Sequence, residues 1–267
     1  MSNTARQRLF IASAVVAMVV FGIVAHANNW WGGYHWARTA NPFTVPLGDN
    51  LTTTDWKSHL SQASSDWSKS SLLDTAIVAG SSTNKRCRPS SGTVQVCNGA
   101  YGYNGWLGLA QIWIDTNNHI LQGAVKVNDS YFNLATYNNW AEKQHVICQE
   151  VGHTFGLDHQ DTSGASLNTC MDYYHNTSDN DTKSTTPNAH DYYMLDSVIY
   201  VTTDSYSTLS TGAAAAAKMP PAMSELDFTS EENWGRLVSG SKAEGFSVYE
   251  LDFGHGHKIE TMVTWAQ

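Results

Sequence analysis

Apolar positions along the chain fall into runs whose spacing predicts both helices and strands. Trp56, Leu60, Ala63 and Trp67 recur at i, i+4, i+7 and i+11, one face of a helix. Thr53, Thr54 or Asp55 is placed to cap its start. Strand-like runs follow at Asp74–Ala79, Thr93–Cys97, Trp106–Ile114 and Ile120–Val127, the last two joined by a turn at Asp115–Asn118. Trp140–Phe155 reads as a helix stopped by Gly156, and a later helix runs from about Asn188 to Tyr200. Asn28–Asn50, rich in Trp, Gly and Tyr, reads as an extended segment laid over the domain. Thr202–Pro221 is Thr/Ser-rich and then carries five alanines and two prolines, the composition of a linker. Two further strands are expected at Phe246–Phe253 and Lys258–Trp265, around a Gly254-His255-Gly256 turn. The expected division is 1–27 leader, 28–204 main domain, 205–222 linker and 223–267 small C-terminal β segment. A piece of about 45 residues hardly stabilises itself, so this last one must dock on the main domain or on a partner.

Composition narrows the class. The 267 residues are 42% hydrophobic and only 15% charged, with a net charge of −9. A sizeable core is affordable, and an acidic chain is a poor partner for a phosphate backbone, so nucleic acid is excluded. At the N-terminus, Arg6 and Arg8 precede a 17-residue apolar run, Leu9–Ala25, that ends in Ala25-His26-Ala27. That is the pattern of a secretory signal peptide. A retained anchor is the rival reading, but the run falls short of the ~20 residues that span a bilayer. Once the leader is removed no membrane association is expected, and the mature protein is read as a secreted monomer. In an oxidising compartment the four cysteines imply two disulfides. Of the three possible pairings, the local one, Cys87–Cys97 with Cys148–Cys170, is expected.

The chemistry concentrates in Gln149-Glu150-Val151-Gly152-His153-Thr154-Phe155-Gly156-Leu157-Asp158-His159. Residues 149 and 153 share a helix face and can converge on one ion. Gly156 permits a sharp turn that returns His159 as a third ligand. Three protein ligands with an open position is the plan of a catalytic zinc site. Zinc lowers the pKa of a bound water, and Glu150 stands where it can take the proton.

This stretch resembles the metzincin signature H-E-x-x-H-x-x-G-x-x-H, and Cys170-Met171-Asp172-Tyr173 resembles the Met-turn of those enzymes. The element order is closest to the matrixins. The resemblance spans roughly residues 45–200 and is motif-specific over 149–173. It implies an α+β fold with a mixed twisted sheet over two long helices. It further implies a zinc endopeptidase acting on protein or peptide substrates, with Glu150 as general base. Gln149, His153 and His159 would be the metal ligands, Met171 would lie beneath the metal, and Tyr173 would steady the transition state. A substrate peptide would lie along an edge strand, for which Trp106–Ile114 is the candidate.

The first metal position departs from the family pattern: it holds Gln149, and a neutral amide oxygen is a poorer zinc ligand than imidazole. Either Gln149 ligates through its oxygen, or the site holds no catalytic metal and the chain is a binding protein on the same scaffold. His145 cannot substitute, because eight helical residues place it about 12 Å along the axis from His153. Asp158 is a candidate partner for a ligand histidine. His190 and Asp191 read as capping or packing residues. Asp179, Asn180 and Asp181 lack the spaced oxygens of a calcium loop. His255 and His257 flank a Gly-rich turn and read as exposed.

Overall fold

A computed structural model describes residues 29–209, 219–225 and 228–267. The expected leader and the alanine run lie outside the described residues. The chain forms an α+β fold on one nine-stranded mixed sheet. In chain order the elements are β1 (His35–Trp36), β2 (Phe43–Asn50), α1 (Thr54–Trp67), β3 (Leu73–Ala79), β4 (Val94–Gly99), β5 (Trp106–Ile114) and β6 (His119–Asn128). Then come α2 (Asp129–Phe132), α3 (Trp140–His153), α4 (Ala189–Met194, continued by a π-type turn at Leu195–Ile199), β7 (Arg236–Ser241), β8 (Phe246–Asp252) and β9 (Lys258–Trp265). The strand order is β3-β2-β4-β6-β5-β9-β8-β7, with β1 beside the start of β6.

The periodic face of α1 is the buried one: Trp56, Leu60, Ala63 and Trp67 are each at most 3% exposed. Thr53 caps the helix, its side chain accepting from the Trp56 N–H at 3.2 Å. α1 packs on α3 through polar as well as apolar groups. Trp67 Nε1 donates to the Cys148 carbonyl at 3.1 Å, and His59 Nδ1 meets Gln144 Oε1 at 2.9 Å. α3 starts at Asn139, whose side chain accepts from the Glu142 N–H at 2.9 Å. Both expected disulfides are present, Cys87–Cys97 and Cys148–Cys170, each with Cα atoms 5.9 Å apart.

The C-terminal strands form where the sequence places them, but they are not an appendage. β9 runs antiparallel to β5 over most of its length, with Ala110 opposite Met262 and Ile112 opposite Glu260. β8 and β7 extend the sheet beyond it. Val248 and Met262 belong to the main hydrophobic core. Trp234 and Trp265 pack with Trp106 in a second cluster. The physical reason is that β5 is buried along its whole length, so its second edge needs a partner for its backbone groups. The expectation that Trp106–Ile114 is a free edge strand for a substrate is therefore corrected: it is interior, between β6 and β9. Residues 28–50, expected as an extended cover, supply two sheet strands instead.

Candidate active site

α3 carries Gln149, Glu150 and His153 on its last turns, and the chain then reverses at Gly156. The Gly156 φ is +92°, and a Cβ there would stand 2.1 Å from the Tyr34 carbonyl oxygen. Only glycine fits both the left-handed backbone and the N-terminal segment lying against it. Trp31 clamps this turn, its N–H donating to Gly156 O at 3.0 Å and its Nε1 to Leu157 O at 2.7 Å. The reversal brings His159 back beside His153, with ring centroids 4.6 Å apart and edge to face. Beneath the helix, the buried Met171 sulfur and Trp67 press on Gly152, where a Cβ would meet them at 2.6 and 2.5 Å. The Cys148–Cys170 bond ties the helix to this turn. The sequence-predicted residues Gln149, Glu150, His153 and His159 thus gather at the end of α3 with Met171 beneath, and Tyr173 stands two residues further along the turn.

Their polar atoms are unequally satisfied. His153 Nδ1 faces the Leu157 carbonyl at 2.8 Å. A carbonyl only accepts, so the proton sits on Nδ1 and the Nε2 lone pair is left bare. Burial, and then the neighbouring His159, hold His153 well below its ordinary pKa, and so neutral. His153 Nε2, both ring nitrogens of His159 and Glu150 Oε2 are buried and find no hydrogen-bond partner among the described residues. Each such orphan costs roughly 1–3 kcal/mol. Two imidazoles with unpartnered nitrogens suit a borderline cation such as zinc.

Gln149 is engaged differently. Its Nε2 donates to the carbonyls of Asp172 at 2.7 Å and Cys170 at 3.0 Å, which leaves its Oε1 turned away from that turn. Thr264 Oγ1 lies 2.8 Å from Gln149 Oε1 and 2.7 Å from Glu150 Oε1. One hydroxyl carries one proton, so it serves one of these acceptors at a time. Burial raises the Glu150 carboxyl to about 8, with Thr264 opposing. β5 crosses directly above: a Cβ on Gly108 would stand 2.5 Å from Glu150 Oε1.

The C-terminal strands roof the site. Phe246 packs on His159 at 5.1 Å between centroids, and Tyr173 donates its hydroxyl to the Trp265 carbonyl at 3.3 Å. Gly245 lies against the Tyr173 ring, where no Cβ would fit. Gln149, Glu150 and His153 are at most 1% exposed, and His159 is 6%. Nothing in the spacing of residues 149–173 announces Thr264, Phe246 or Gly108. They reach the site only because β9, β8 and β5 are neighbours in the sheet.

The remaining candidates settle into structural roles. Asp158 Oδ1 takes the His159 backbone N–H at 2.6 Å and lies 3.5 Å from His159 Nδ1. His145 Nε2 donates to Asp172 O at 3.0 Å. Asp191 closes a capping box with Asn188. Asp179 accepts from the Trp140 N–H, and Asp181 from the Tyr174 hydroxyl. Set against known proteins, the chain matches no family model and no curated protein.

Proposed function

We propose that the chain is a secreted, metzincin-like zinc endopeptidase whose site is closed by its own C-terminal strands. The observation that carries this reading is the set of buried, unpartnered atoms on His153, His159 and Glu150, held at the end of one helix over Met171. His153 and His159 would hold the metal by nitrogen. Gln149 has a second lone pair on Oε1 to offer beside its Thr264 contact. Zinc bound there supplies Lewis acidity to a water and to a peptide carbonyl. Glu150, buried and with Oε2 unengaged, is the group that would take the water's proton, the nearby cation holding it ionised against burial, and Thr264 holds its other oxygen in place. The Tyr173 hydroxyl, now on Trp265, would reach substrate only once that bond is released. The Gln149 amide held by two backbone carbonyls and the covered edge of β5 favour a second reading, a non-catalytic binding protein on this scaffold.

Turnover of an unfolded protein substrate by wild type and by Phe246→Ala separates the two. Phe246→Ala loosens the roof at His159 without touching the β5–β9 ladder. The peptidase reading expects turnover to rise several-fold. If both forms are as inert as Glu150→Ala, the binding-protein reading takes its place.

A further inference from the structure

Away from the α3 site, His35, His119 and Asp204 converge from three distant parts of the chain. Each can offer one ligand atom, and these atoms lie within 4.8 Å of one another. From these residues we infer a second, structural metal site for a zinc-class divalent cation.

Two of the three ligand separations fit four-coordinate zinc. Ligands ~2.0–2.1 Å from a tetrahedral zinc stand about 3.3–3.4 Å from each other. His35 Nε2 is 3.4 Å and His119 Nε2 is 3.3 Å from Asp204 Oδ1. Both imidazoles are oriented through their other nitrogen. His35 Nδ1 faces the Gly33 carbonyl at 2.8 Å, which orients the ring and directs Nε2 to Asp204 Oδ1 at 3.4 Å, a contact that an ion would replace. His119 Nδ1 faces the Tyr206 hydroxyl at 2.6 Å, and that hydroxyl donates to Asp115 Oδ2 at 3.0 Å. His119 Nδ1 therefore carries a proton; burial opposes charge on the ring, but Asp115 and Asp204 hold its pKa above the ordinary value, so an ion at Nε2 would displace a proton there. The carboxylate is held too: Asp204 Oδ2 takes Arg38 NH1 at 3.1 Å and the Arg38 backbone N–H at 3.2 Å, which leaves Oδ1 for the ion. The charged groups around the site are thus Asp204, Asp115 and Arg38. The ligand side chains are 9–20% exposed, enough for entry and for a water as fourth ligand.

Such an ion would pin β1, the first residue of β6 and the segment after α4 to one another. It would act on stability, not on turnover.

The test uses full-length mature His153→Ala protein, in which the α3 site is disabled, dialysed against zinc and then against buffer. Metal is read by mass spectrometry, and four-coordinate geometry by the visible bands of a cobalt-loaded sample. One equivalent of zinc per chain is expected, with a higher melting temperature, and adding His119→Ala or Asp204→Asn should remove both. Near-ultraviolet circular dichroism matching the parent shows that these variants are folded; should one fail to fold, His35→Gln replaces it. Two results overturn the inference: a His153→Ala protein that retains no zinc, or zinc that survives substitution of these ligands in folded protein.

Discussion

Thr264 is the most economical contact in the molecule, since a single hydroxyl stands between Gln149 and Glu150. Thr264→Val keeps the shape and removes the donor. The one hydrogen bond that the two buried oxygens share is then lost, at a cost of roughly 1–3 kcal/mol, to be read as a lower urea midpoint at unchanged slope. Gly156→Ala should cost more than about 1 kcal/mol, because φ is positive and the Tyr34 carbonyl occupies the Cβ position. An urea melt no different from wild type would show that the turn relaxes without loss. Gln149, Glu150, His153 and His159 were legible in the sequence because a helix followed by a glycine turn makes spacing equivalent to position. Thr264 was not, because a residue 114 positions from Glu150 leaves no local trace of its contact.

At the scale of elements, periodicity located α1, α3 and the β5–β6 hairpin closely, since each buries a face whose repeat is written in its own residues. The pairing of β9 with β5 was hidden: more than 140 residues separate the two strands, so their contact leaves no local pattern. β9 also carries a testable charge. Glu260 is 4% exposed and takes the Tyr34 hydroxyl at 3.2 Å. Burial, and then the charge of Glu250, raise its carboxyl from 4.5 to about 8. The unfolded chain therefore releases this proton at lower pH than the fold does. Stability is lost as pH climbs from near 4.5 toward 8, and is regained as pH falls. Glu260→Gln keeps the acceptor and removes the titration. It should melt above wild type at pH 8 and approach it near pH 5. Glu150 titrates in both proteins, so their difference isolates Glu260; a difference independent of pH would refute the assignment.

For the whole molecule, the C-terminal strands are both core and roof. A chain ending near Ser205 loses Val248, Met262 and Trp265 and bares the second edge of β5. It is expected to be insoluble or unfolded, contrary to the separable segment that its composition suggests. Soluble, cooperatively melting truncated protein would show the roof to be dispensable. The same strands explain how the proposed site can be built and yet closed, which makes turnover, not architecture, the decisive property. The most direct measurement is cleavage of an unfolded protein substrate by zinc-loaded wild type and Glu150→Ala, with metal content measured on the same samples. The account predicts equal metal in both and turnover lower by roughly 10²–10⁴-fold in Glu150→Ala, because the base is removed and no ligand is lost. Wild type that cleaves no faster than Glu150→Ala would contradict it.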